Sequence, residues 1–319
     1  MIDLTIIGGG KAAAECGDVL SRAGFQVRRA LEIDDRDKSP IILGELTGAS
    51  ALARQAVEAG RHLLIASPLA FAPDRIAQLY ENRKRSQALF VWSERRFHPG
   101  YRFVSSLIEA DSTWRPRYLR QDTLSVEPTT NALMRWTLAE SLSLALTFAP
   151  EEPLHLSASA IDNARRNAAD LVSVTLAFND LDAFVQVGLG EAIDRRETLI
   201  AAADRKAYVD ELNQSMPIRL VEDEASVQSR SPARWLSCPS PTPEERARQQ
   251  CLSFLDATLK TSLAQDEASL WLRSIAALDA VEISIAQNGA ALEVATKAAE
   301  PRFRLIGGRS MSAHPPSVA

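Results

Sequence analysis

The chain has 319 residues, 46% of them hydrophobic and 24% charged, with a formal net charge of −5. That length suits two domains at roughly 100–200 residues each, and so much apolar side chain excludes a disordered chain. The acidic balance without a basic stripe argues against a nucleic-acid partner, and no apolar run approaches the roughly 18 residues of a membrane span.

The start, Met1-Ile2-Asp3-Leu4, has neither a basic n-region nor an apolar h-region, so no signal peptide is expected and a cytoplasmic protein is. Cys16, Cys238 and Cys251 show no metal spacing and no paired framework, which reads as free thiols in a reducing compartment. His62, His98, His155 and His314 are scattered and predict no zinc site.

Leu4–Ile7 is a short apolar run that stops at Gly8-Gly9-Gly10. A helix is predicted from Lys11 to about Ala23, with Val19, Leu20 and Ala23 on one face and Gly24 as its C′ residue. Phe25–Ile33 and Ile41–Leu46 read as strands, Ala49–Ala59 as a helix closed by Gly60, His62–Ile65 as a strand, Pro73–Arg85 as a helix and Ala88–Trp92 as a strand. Such alternation predicts a parallel, doubly wound sheet.

Gly8-x-Gly10-x-x-Ala13 lies between the first strand and the first helix, where a dinucleotide fingerprint needs it. The first glycine permits the tight turn, the second lets a pyrophosphate approach the backbone, and the third position needs only a small residue. The helix start offers free N–H groups and a positive dipole end to phosphate, so Gly8, Gly10, Lys11 and Ala12 are the candidates there. An acid for the ribose is expected about 20 residues on, where Glu32 and Asp34 stand. The same glycines would also serve a turn that only packs tightly.

From Arg117 the pattern changes. Arg117–Leu124 is strand-like, and Leu133–Phe148 is helical with Leu138, Leu142, Ala145 and Leu146 along one side. Leu154–Ile161, Leu171–Phe178 and Ala183–Leu189 read as strands, the last two as a hairpin about Asn179-Asp180-Leu181-Asp182. Leu199–Ala203 and Lys206–Leu212 suggest another, so this sheet is expected to be largely antiparallel. Ser237–Pro243 reads as a surface loop feeding a helix with Thr242 as N-cap, Pro243 at N1 and Glu245 at N3. A long helix from about Asp266 to Asn288 stops at Gly289, and the tail from Gly307 reads as mobile.

Several stretches together resemble the Gfo/Idh/MocA oxidoreductase family. Ala59-Gly60-Arg61-His62-Leu63-Leu64-Ile65 with Pro68-Leu69-Ala70 is similar to its "AGKHVLVEKP" segment. Phe90-Val91-Trp92 followed by Arg95-Arg96-Phe97-His98-Pro99-Gly100-Tyr101 is similar to its "V…RRFxPxY" stretch, with Leu107-Ile108-Glu109 in the helix that follows. The resemblance implies a Rossmann-like parallel domain over 1–116, an α+β domain with an open sheet over 117–306, and a tail over 307–319. It also implies an ancestry in NAD(P)-dependent hydride transfer on sugars, cyclitols or related molecules.

The family's chemistry is not carried over. Ala66-Ser67-Pro68 stands where the family has Glu-Lys-Pro, and a serine cannot replace the lysine as an acid. In the register of the family's "DxGxH", the acid becomes Trp136 and the histidine Glu140; the later acid becomes Ser143. An i,i+4 spacing still sets residues 136 and 140 on one helix face. The segment after Asp34 is also short. Seven residues before Ile41 span at most about 24 Å, marginal for a parallel crossover, so either Phe25–Ile33 is not a full strand or Ile41–Leu46 is unusually placed.

Two functions follow, with a scaffold that binds no small molecule as a third reading. One is a degenerate homologue with no NAD(P) affinity, or weak affinity, acting as a non-catalytic subunit or ligand-binding partner. The other is an active oxidoreductase with relocated acid–base groups, Glu140 being the candidate because burial tunes a carboxyl toward neutral pH. His98 is a weaker candidate donor, expected to be solvated. The hairpin face with Ser173, Thr175, Ala177, Phe184, Gln186 and Gly188 is poor in charge, which predicts a homo-oligomer or pairing with an active homologue.

Overall fold

The computed structural model describes residues 3–34, 36, 38–93, 95–149, 151–162, 169–213, 215, 217–222, 234–236, 243–295 and 302–305. The N-terminal part runs β1 (Asp3–Ile7), α1 (Lys11–Arg22), β2 (Gln26–Ala30), β3 (Ile41–Leu43), α2 (Ala49–Glu58), β4 (Leu63–Ile65), α3 (Pro73–Asn82), β5 (Leu89–Val91) and α4 (Pro99–Ala110). Its five strands are all parallel, in the order β2-β1-β3-β4-β5. β3, β4 and β5 are apolar throughout because both faces of the sheet are covered. Leu4, Ile6, Ile42, Leu64 and Phe90 face α1 and a later helix, while Ile41, Leu43, Leu63, Ile65, Leu89 and Val91 face α2 and α3. Gly24 and Gly60 end α1 and α2 at positive φ, as the sequence predicts.

The expected strand over Phe25–Ile33 is shorter, and the following one is placed across β1. β2 stops at Ala30, and Leu31 is 89% exposed. β3 pairs with β1 on the side away from β2. The chain between them returns directly, without a helix among its described residues, and lies against β1. Pro40 O accepts from Thr5 N–H at 3.0 Å, and the Thr5 and Ser39 hydroxyls are 2.8 Å apart. Buried Arg61 clamps the connection by donating Nε–H to Ser39 O at 3.0 Å and Nη1–H to Asp34 O at 3.3 Å. Ten residues, 31–40, separate the two strands.

The second part contains β6 (Tyr118–Ser125), α5 (Asn131–Thr147), β7 (His155–Asp162), β8 (Ala169–Ala177), β9 (Asp182–Leu189), β10 (Arg195–Ala201), β11 (Arg205–Asp210), β12 (Ile218–Glu222), β13 (Arg234–Leu236), α6 (Pro243–Leu259), α7 (Thr261–Ala286), β14 (Leu292–Ala295) and β15 (Arg302–Leu305). The sheet order is β13-β12-β11-β10-β6-β9-β8-β7-β14-β15, antiparallel except for the parallel pair β6–β9. Both expected hairpins are present as β8–β9 and β10–β11. α5 and α7 cover one face of this sheet, and α6 returns to pack on α1. The last long helix begins five residues earlier than the sequence suggests, at Thr261, and ends at Ala286, with Asn288 (φ 56°) and Gly289 (φ 83°) turning the chain just after it. Thr242, Cys238, His314 and the tail from Gly307 lie outside the described residues. No described helix is long and apolar enough to cross a membrane.

Candidate active site between the two sheets

A cavity of about 580 Å³ lies where the carboxyl ends of the parallel strands meet the covered face of the large sheet. This is where an open α/β sheet places ligands, because successive strand ends deliver loops to one edge. The N-terminal wall consists of Lys11, Ala12 and Glu15 from α1, Glu45 after β3, Ala66–Ala70 after β4, and Trp92 and Arg95 after β5. The opposite wall brings Thr123, Ser125 and Glu127 from β6 and its end, Leu133, Trp136, Thr137 and Glu140 from α5, Leu189, Arg196, and Trp271 from α7.

Of the cofactor-site candidates Gly8, Gly10, Lys11, Ala12, Glu32 and Ser67, the two glycines adopt the backbone of a glycine turn, and the side chain of exposed Glu45 lies over the second. Gly8 (φ 91°) and Gly10 (φ 87°) adopt backbone open mainly to glycine. Gly9 and Glu45 exchange backbone hydrogen bonds at 2.9 and 2.8 Å, so the loop after β3 is laced to the glycine loop. A Cβ on Gly10 would stand 2.7 Å from the Glu45 carboxyl. That carboxyl therefore lies against the glycine whose backbone a pyrophosphate would approach. Lys11 and Ala12 are at the mouth of the cavity; Lys11 is largely exposed, with Nζ 3.9 Å from Glu15. Ser67 lines the cavity. Glu32 is exposed near the end of β2 and takes no part in the cavity wall.

Glu140 faces the cavity one helical turn from Trp136, as the spacing predicts. Ser93 Oγ–H donates to its carboxylate at 2.6 Å. Burial pushes this carboxyl up, against the opposing pull of Arg95 and the Ser93 hydroxyl, and it stays above the ordinary glutamate range. Ser143 is buried beneath, its hydroxyl donating to Glu140 O at 2.7 Å.

The segment after β5 fastens the two sheets together. Arg95 donates to Glu211 (2.9 Å), to Thr123 Oγ1 (2.9 Å) and to Ser141 Oγ (2.7 Å). Tyr101 Oη–H donates to the same Glu211 oxygen at 2.6 Å. Burial alone would lower the Arg95 pKa, but Glu211 outweighs it and keeps the guanidinium charged. Arg96 makes a two-bond pair with Glu267 at 2.8 and 2.7 Å, and Trp271 Nε1–H donates to that carboxylate at 2.9 Å. Trp136 meets Trp271 edge to face, with centroids 6.1 Å apart, and donates Nε1–H to Phe71 O at 2.6 Å.

His98 is not solvated as expected. It is 2% exposed, caps α4 by accepting the Gly100 N–H on Nδ1 at 3.2 Å, and burial lowers its pKa. Cys16 and Cys251 are free and buried. Among the described residues no three His, Cys, Asp or Glu side chains gather as a metal site. Sequence reasoning missed Glu45, Trp92, Arg196, Glu211 and Trp271. Arg95 and Arg96 were visible only as part of a family-like stretch.

No protein-family model matches the chain, and no curated protein does. Solved structures do match in fold. UDP-N-acetylglucosamine 3-dehydrogenase GnnA from Acidithiobacillus ferrooxidans is 19% identical, with a TM-score of 0.69 over 89% of this chain and 97% of that one. Levoglucosan dehydrogenase in complex with NADH is 12% identical, with a TM-score of 0.66 over 89% and 98%. GenD2 from gentamicin A biosynthesis, in complex with NAD, is 16% identical, with a TM-score of 0.65 over 92% and 97%. The chain thus has the two-part fold of the Gfo/Idh/MocA-type NAD-dependent oxidoreductases, as the sequence resemblance implies.

Proposed function

We propose that this protein binds a small hydroxylated molecule in the cavity between its sheets and does not transfer hydride to or from NAD(P). The observation that carries the reading is the Glu45 carboxyl against Gly10. It sets a negative charge where a dinucleotide's pyrophosphate would come, with Glu15 also on that wall and Lys11 beside it. The direct β2–β3 connection supports the same reading, since it leaves Glu32 exposed without the flanking segment that would wall an adenosine. These residues do not fit a dinucleotide. A small hydroxylated ligand suits the cavity's Thr123, Ser125 and Thr137 hydroxyls and its Trp92 and Trp136 surfaces. The fold neighbours named as dehydrogenases of levoglucosan and of a sugar nucleotide point to the same ligand type.

One observation favours a second reading, an active oxidoreductase. Glu140 lines the cavity with a raised pKa, as a relocated acid or base would. Hydride-transfer assays with NAD and NADP on a panel of sugars and cyclitols separate the two. The wild type should show no turnover, and neither should Ser67→Lys, because acid–base and positioning groups act as a unit. Clear turnover by either protein would establish the second reading.

As a non-catalytic subunit the protein would associate through the open face of the large sheet, with its own copy or with an active homologue. Ser173, Thr175, Ala177, Phe184 and Gln186 form an uncharged strip on β8 and β9 that ends at exposed Asp182, opposite Ala177; Gly188, expected on that face, is buried. Beyond β9 the face becomes charged, with Arg120 paired to Asp122 at 3.2 Å and stacked on Phe184 at 5.9 Å. An uncharged strip with a charged rim has the composition of an interface. Light scattering should find an oligomer that Phe184→Glu disrupts. A monomeric wild type at tens of micromolar would exclude self-association, and an unchanged oligomer in the variant would move the interface elsewhere.

A further inference from the structure

The cations on the cavity wall are not equivalent. Arg95 is neutralised by Glu211 at 2.8 Å, and Lys11 lies beside Glu15. Arg196 is different. Its side chain is half-buried on the cavity wall and has no hydrogen bond or ion pair to any described residue. Its neighbour Arg195 points to the other face of the sheet and is paired with Glu197 at 2.6 Å. Holding an unpaired guanidinium half out of water is costly unless something returns the lost hydrogen bonds.

The surroundings narrow what that would be. Arg196 on β10 stands directly across the ladder from Thr123 on β6, and Ser125 lies two residues along the same strand face. Glu211, whose backbone N–H donates to Arg196 O at 2.9 Å, gives its carboxylate to Arg95 and Tyr101, and the cavity carboxylates do not pair with Arg196 either. Glu140 is held by Ser93 at 2.6 Å, and Glu127, at the end of β6, is exposed to water. A planar guanidinium with hydroxyls at its side matches a carboxylate with hydroxyls on the adjacent carbons, because the fork donates to both carboxylate oxygens at once. We infer that the cavity binds a small hydroxylated carboxylic acid, with Arg196 as the anchor for its carboxylate. This rests on the reading of the cavity as a ligand site and adds the ligand's charge.

The test is calorimetric titration of the full chain with two matched pairs: D-gluconate against D-glucitol, and D-galacturonate against D-galactose. Each acid should bind roughly 10- to 100-fold tighter than its neutral partner, the value of a charge-assisted bond. Arg196→Gln should abolish that preference, and Arg196→Lys should keep part of it, since a point charge remains without the fork. Arg195→Gln, on the opposite face, should bind as the wild type does. Thermal melts of each variant report whether it is folded, and the Lys variant keeps the test valid if the Gln variant is not. Equal affinity for acid and neutral partner, a preference that survives in a folded Arg196→Gln, or no binding by any of the four compounds would overturn the inference. The reading without hydride transfer is judged separately, by turnover with NAD(P).

Discussion

Glu211→Ala is expected to destabilise the protein by about 3–5 kcal/mol, the usual cost of removing one partner from a buried ion pair. The Arg95 and Glu211 side chains are 4% and 6% exposed, and the pair lies between the two sheets, so the charge left on Arg95 would have no water to turn to. Urea denaturation at neutral pH measures the effect; a loss under about 1 kcal/mol would mean that Arg95 finds another partner. The same pair makes stability depend on pH. Burial alone would raise the Glu211 carboxyl, but the Arg95 charge and the hydrogen bonds from Arg95 and Tyr101 outweigh it and hold the pKa below the ordinary value. A lowered acid contributes stability above its unfolded value of about 4.3, and the contribution is lost as pH falls through the lower folded value. Glu140 works in the opposite sense. Its raised carboxyl favours the folded state below about 4.3, and that gain is lost as pH rises through its folded value. Glu140→Gln should therefore leave a protein whose stability falls less as pH rises from 4 toward neutrality.

Trp271→Ala should cost a similar amount, about 3–5 kcal/mol. The indole is 1% exposed and is among the largest fully buried side chains. It fills the space between α7 and α5, presents an edge to Trp136, and gives Glu267 one of its hydrogen bonds. Its removal would enlarge the cavity and loosen the Arg96–Glu267 pair that ties α7 to the segment after β5. Chemical denaturation gives the cost, and a change below about 1 kcal/mol would show that the neighbouring helices close over the gap.

The N-terminal sheet was legible because its inner strands are short apolar runs that glycines punctuate. Leu4–Ile7 before Gly8 and His62–Ile65 after Gly60 could hardly be read otherwise. The end of β2 was not legible because Leu31 and Ile33 extend the apolar pattern of the strand, yet the chain leaves the sheet after Ala30, exposing Leu31 while Ile33 still packs against the core. The outer strands β12 to β15 went unread, since edge strands such as Arg234–Leu236 and Arg302–Leu305 are only three or four residues long. The break between α6 and α7 at Lys260 carries no glycine or proline to mark it. In the cavity, Trp136 and Glu140 could be placed together because a helix fixes their spacing. Arg196 with Thr123, or Arg95 with Glu211, could not, because the contacts join residues 73 and 116 positions apart and leave no local pattern. Glu45 is a subtler case. Nothing in Gly44-Glu45-Leu46 announces that its carboxyl will lie on the glycine turn, which follows only once β3 is seen beside β1.

Whether the glycine turn accepts a dinucleotide decides the account. Titration of the wild-type chain with NAD, NADH, NADP and NADPH, followed by the fluorescence of its five tryptophans and by calorimetry, should give no saturable binding up to millimolar concentrations. Saturable binding with a low-micromolar dissociation constant would contradict it, showing that the Glu45 carboxyl moves aside and that the turn remains a working phosphate site.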